Sequence, residues 1–199
     1  MIFSLFRRKP PEPSDLIYLE IVRQARQIDF YRDCRVPDTV EGRFEMIILH
    51  LALFFYRLRD ADDAARRVAQ KVVEAFFNDM DRSLREMGIG DISVPKKMKK
   101  LGQAYNGRSL AYHRAFATHD AADLADAILR NVMALDKGAE TAGDIGGAEA
   151  IAAYALATLA LLNEQAVAEI LAGTLATAPL ASDGLSDVAL SVLSTGEAE

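Results

Sequence analysis

Residues 46–56 read MIILHLALFFY, and only His50 and Tyr56 in that run carry a polar side-chain atom. A helix that is apolar all round offers no face to water, so it folds only when other elements surround it. The run is also far shorter than the roughly 20 residues that cross a bilayer. It therefore predicts a buried central helix, from Thr39 to about Arg59, with the rest of the chain wrapped around it. Asp38, with Glu41 three residues on, is the predicted N-cap of that helix. His50 has no second ligand at i+4 and reads as a core histidine bonded to a backbone carbonyl.

The flanking sequence supplies the wrapping. Ser14 is a candidate cap for a helix to about Asp33, with Leu16, Leu19, Ile21, Val22, Ala25, Ile28 and Phe30 as its apolar stripe. After a turn at 60–63, a helix runs from about Asp63 to Met87, where Phe76, Phe77, Met80, Leu84 and Met87 recur at three- and four-residue steps. Pro95 opens the next helix, to about Thr118. Its interior Gly102 and Gly107 predict the close approach of another backbone, since glycine in a helix otherwise costs about 1 kcal/mol against alanine. Asp120 caps an amphipathic helix that uses Leu124, Ile128, Leu129, Val132 and Leu135. Gly138, Gly143, Gly146 and Gly147 make 137–147 a flexible loop, and beyond it an alanine- and leucine-rich helical pair, broken near Asn163, packs on the bundle. The fold class is thus all-α: a single helical-bundle domain of about six to eight helices over 14–179, with an N-terminal extension at 1–13 and a tail at 180–199.

Residues 74–108 are unlike the rest. An acidic, arginine-dotted helix stops at Gly88 and Gly90, and Lys96, Lys97, Lys99 and Lys100 follow within five positions. Here FFNDMDRSLREMGIGDISVPKKMKK, followed by AYNGRSLAY, closely resembles the central signature of the ubiquinol–cytochrome c chaperone family. A second patch, VPDT at 36–39 with Gly42, Arg43 and Phe44, is also similar to that family, and the similarity runs from about Tyr18 to about Arg130. The resemblance implies a non-enzymatic chaperone that assists assembly of the respiratory ubiquinol–cytochrome c reductase, with newly made cytochrome b or another reductase subunit as client. It also implies that Asp79, Asp81, Arg85, Asp91, Lys96, Lys97, Lys99, Lys100 and Arg108 form a partner-binding surface; by themselves the Asp79, Asp81 and Arg85 charges and the lysine block also read as a solvated helix face.

Composition and motif content bear on what else the chain can do. A formal net charge of −6 argues against a general nucleic-acid binder, and no specific DNA binding is expected. Cys34 stands alone, so no intrachain disulfide can form. There is no phosphate loop, dinucleotide fingerprint, paired metal-ligand motif or nucleophile elbow, so neither an enzyme nor a cofactor site is expected. No run approaches 18 consecutive apolar residues and no secretory order of charges is present, which gives a cytoplasmic expectation. Ile2, Phe3, Leu5 and Phe6, then Arg7, Arg8 and Lys9 and a proline spacer, read either as a peripheral contact with an anionic membrane on its inner face or as a plain solvated terminus. Two competing functions remain: a haem-handling protein resting on His50 or His113, and a ribosome- or nucleic-acid-contacting module resting on Lys96 to Lys100.

Overall fold

The computed structural model describes residues 12–133 and 141–180, and every regular element among them is a helix. In chain order these are α1 (Pro13–Ala25), α2 (Ile28–Arg32), α3 (Val40–Arg57), α4 (Asp63–Glu86), α5 (Val94–Thr118), α6 (Ala121–Asn131), α7 (Ala142–Glu164) and α8 (Val167–Leu171). The all-α expectation holds, in one domain. As its sequence demands, α3 is central: Phe44 to Phe54 is buried without interruption, and α1, α5 and α7 pack around it. The second contact of α1 is α4, and α6 bridges α5 and α7.

Local boundaries depart from the sequence reading in several places. The first predicted helix is two helices. The chain turns at Arg26 and Gln27, the Tyr31 hydroxyl donates to the Ala25 carbonyl (2.9 Å), and the turn drives Phe30 into the core against Tyr154 and His50. Glu12 rather than Ser14 precedes α1, and the Asp15 carboxylate accepts the Glu12 N–H (3.0 Å). The buried stripe of α1 is Ile17, Tyr18, Ile21, Gln24 and Ala25, whereas Leu16, Leu19 and Ile28 face outward. Thr39, not Asp38, caps α3 by accepting the Gly42 N–H (3.1 Å), and Asp38 instead pairs with Arg43 (2.7 Å). Asp120 caps α6 as predicted, its Oδ1 accepting from Ala122 and Asp123.

The larger correction lies at 141–147, where the glycines belong to a helix rather than a loop. Thr141 and Asp144 form a capping box that starts α7. A Cβ on Gly147 would collide with the Cys34 carbonyl and one on Gly143 with the Arg35 guanidinium. Glycine is used there to let α7 close on the 34–35 turn, where Arg35 itself is left-handed (φ 61°). Gly102 and Gly107 meet nothing within 4 Å, so the close packing predicted for them is absent. Leu135, Gly138, the segment 1–11 and the tail from 181 lie outside the described residues.

Residues 143–164 of α7 are long and apolar enough to cross a membrane although no unbroken apolar run reaches 18 residues; half of that window is buried in the bundle. Polar bonds tie the helix in place. The Thr158 hydroxyl accepts the Ala178 N–H (3.1 Å), and Arg57 caps the C-terminal end through the carbonyls of Leu162 (2.5 Å) and Gln165 (2.9 Å).

Candidate functional site

Helices α4 and α5 form a hairpin whose base is core and whose far end is not. At the base, Phe76 stacks on Phe44 (5.7 Å) and meets Phe77 and Tyr105, and Tyr105 packs edge-on against Phe77 (5.7 Å). Met80 and Leu101 are the last residues that touch the core; none from 81 to 100 belongs to it. Val94 is the single fully buried residue between 77 and 111, a small nucleus that closes the tip. The apolar period runs on past Met80 through Leu84 and resumes on α5 from Val94, but the core is reached only up to Met80 and again from Leu101, so the residues between them pack at most on each other. The corner is then made by Gly88 at φ 79°, a conformation that glycine adopts without a Cβ clash.

The expected partner-binding residues fall into four sets. Asp79 accepts the Tyr18 hydroxyl (2.9 Å) and pairs with Arg82, so it fastens the base of the hairpin to α1. Burial first, and then that carboxylate, push the Tyr18 phenol up. Arg85 sits between two carboxylates, Asp81 (2.7 Å) and Asp91, clasping the end of α4 to the corner. The Arg85 hydrogen bond holds the Asp81 carboxyl below its usual range. Lys96, Lys97, Lys99 and Lys100 are all exposed, and none has an ion-pair partner among the described residues. Arg108 turns the other way and pairs with Glu45, whose side chain is only 3% exposed, beneath α5. Burial pushes that Glu45 carboxyl up to about 7 against the pull of Arg108. The structure therefore gathers Asp81, Arg85, Asp91 and the four lysines on the projecting part and places Asp79 and Arg108 in its footing.

Sequence periodicity missed Ile92 and misplaced Met87. The apolar period puts Met87 on the stripe, yet it is 49% exposed, and Ile92, in the corner, is 97% exposed. The available signal was position: an aliphatic residue between Asp91 and Ser93 belongs to the period of neither helix.

Two of the three histidines, His50 and His113, are engaged in structure. Both ring nitrogens of His50 are bonded: Nδ1 donates to the Met46 carbonyl (2.8 Å) and Nε2 accepts from the Tyr154 hydroxyl (2.9 Å), and burial pushes its pKa down to about 4. Half-buried His113 meets the Ala52 carbonyl (3.2 Å). Among the described residues no group of three or more histidine, cysteine, aspartate or glutamate side chains could hold a metal.

Residues 32–178 match the family described as ubiquinol-cytochrome C chaperone. Ubiquinol-cytochrome-c reductase complex assembly factor 1 of Xenopus laevis is 22% identical over 117 residues, 59% of this chain and 58% of that protein. The mitochondrial protein CBP3 of Saccharomyces cerevisiae is 31% identical over 107 residues, 52% of this chain and 32% of that one. The chain thus spans between about a third and three-fifths of the curated relatives it matches. The crystal structure of the Cbp3 homolog from Brucella abortus superposes with a TM-score of 0.74 at 37% identity, over 84% of this chain and 90% of that one.

Proposed function

The chain belongs to the ubiquinol–cytochrome C chaperone family, a family of chaperones and not of enzymes, and from that premise we propose that it assists assembly of the ubiquinol–cytochrome c reductase by holding cytochrome b. The reading places the client on the projecting part of the α4–α5 hairpin, at the cytoplasmic face of the membrane that houses the reductase. One observation carries the assignment of surface: residues 81–100 stand clear of the core, yet they are dense in charge and lie inside the matched segment. A stretch that contributes so little to the core has sequence to spare for a partner. The engaged nitrogens of His50 count against the haem-handling reading.

Site-specific photocrosslinking tests this. A photoreactive residue at Arg82 or Glu86, both exposed on α4, should capture cytochrome b in cells that are synthesising the reductase. Capture of a different reductase subunit would keep the assembly role and replace the client. Absence of any reductase subunit from crosslinks at both positions, in a folded protein, would reject the hairpin as the client surface.

A further inference from the structure

We propose that the tip of the α4–α5 hairpin docks on the surface of an anionic bilayer, with Ile92 entering the headgroup layer and Lys96, Lys97, Lys99 and Lys100 lying against lipid phosphates. This goes beyond the client reading and stands without it.

Ile92 has no role in building the corner. The turn is closed by backbone bonds, Gly88 N–H to the Arg85 carbonyl (2.9 Å) and Ser93 N–H to the Gly90 carbonyl (2.8 Å), and its apolar packing comes from buried Val94. An isoleucine left 97% exposed at the end of a projecting hairpin is a side chain that gains by leaving water. Half-exposed Met87 lies beside it in the chain across the glycines.

Charge selects the surface that it enters. Between 81 and 100 there are six cations against three carboxylates, in a chain whose net charge is −6. Two of the three carboxylates, Asp81 and Asp91, are already held by Arg85, so among the described residues the lysine charge is left unanswered. On α5, Val94, Met98, Leu101 and Tyr105 fall on one side by helical period, buried or half-buried, and the four exposed lysines occupy the rest of the circumference. A basic face with an adjacent aliphatic is the composition of an interfacial contact with anionic lipid. Nucleic acid fits less well. Residues 81–100 contain no aromatic side chain, and Tyr105 is packed between Phe76 and Phe77, so no base-stacking platform is offered.

Flotation of the full-length chain tests the proposal, with vesicles of equal parts phosphatidylcholine and phosphatidylglycerol compared with phosphatidylcholine alone. The wild type should float only with the anionic vesicles and lose binding as salt rises. Ile92→Ser should weaken binding several-fold, and Lys96→Gln with Lys97→Gln by about fivefold per lysine removed, with melting temperature and helicity unchanged in both. Since the chain carries a second basic and aromatic segment at 2–9, the tip variants decide. If both float like the wild type, the contact lies elsewhere and the proposal is wrong. It is also wrong if the wild type does not float with anionic vesicles. It is equally wrong if the lysines bind single-stranded RNA tightly while Ile92→Ser has no effect on vesicle flotation. Capture of cytochrome b from Arg82 is read separately, so failure of either idea leaves the other standing.

Discussion

Two buried ionisable side chains, His50 and Glu45, respond to acid in opposite directions. Burial pushes His50 down from 6.5 to about 4 and Glu45 up from 4.5 to about 7. Between about pH 5 and 6.5, an unfolded histidine takes up a proton that native His50 refuses, so its contribution to stability is lost as pH falls. Native Glu45 keeps a proton that an unfolded carboxylate has released, so its contribution is lost as pH rises through the window. Each slope is at most about 1.4 kcal/mol per pH unit, and in the wild type they offset. His50→Gln should therefore become more stable as pH falls across this window, and Glu45→Gln less stable. Urea midpoints at both ends of the window, for the three proteins, check this; parallel slopes in all three would contradict it. The role of His50 was legible because a lone histidine in an apolar run has few alternatives. The pairing of Glu45 with Arg108 was not, because nothing local in sequence relates residues on two helices, and Arg108 read as one more surface cation.

At the scale of elements, what was legible was whatever local chemistry decides: the apolar α3, the proline start of α5, the Asp120 cap of α6. What was not legible was decided by contact between elements. Glycine 147 looks like a helix breaker in sequence, yet it is a helical position where the Cys34 carbonyl leaves no room for a side chain. Gly147→Ala should thus destabilise by about 1–3 kcal/mol, the scale of overpacking. Gly107→Ala, in the open, should stabilise by up to about 1 kcal/mol; chemical denaturation of both variants reads the contrast directly. The hairpin was legible as a helix, a corner and a basic block, but its projection was not, since periodicity shows that a stripe stops and not how far the partner helix accompanies it. Replacing Lys96, Lys97, Lys99 and Lys100 by Glu tests whether that projection serves recognition. Helicity and melting temperature should be retained, because these side chains make no ion pair among the described residues, while accumulation of cytochrome b in cells should fail. Unfolding would instead make the lysines structural, and full reductase assembly would make them an ordinary solvated face.

For the molecule as a whole, the question is whether α7 belongs to the bundle or to a bilayer. Its length and composition permit either, and the packing favours the first. Ile151, Ala152, Tyr154, Ala155, Leu159 and Leu162 are buried on one side, and Tyr154 bonds His50 of the central helix and Thr177 (2.8 Å). Pulling α7 out would strand these polar groups and strip the far side of α3, at a cost of about 1–3 kcal/mol for each buried polar group left unpaired. Ala157 and Ala160, on the opposite side, are exposed. A bundle helix presents those positions to water, where lysine changes stability by no more than about 0.5 kcal/mol. In a bilayer the same two lysines, at 157 and 160 of a span whose centre is near 153, would cost up to about 2.5–3.5 kcal/mol each, the value at the centre. The double variant Ala157→Lys with Ala160→Lys should therefore keep its melting temperature and its distribution between membrane and soluble fractions. Ala152→Lys, buried against the bundle, should fail to fold. If the double variant is instead lost from a membrane fraction that the wild type occupies and resists alkaline extraction from, α7 spends part of its life in the bilayer, and the bundle described by α3, α6 and α7 is one of two states.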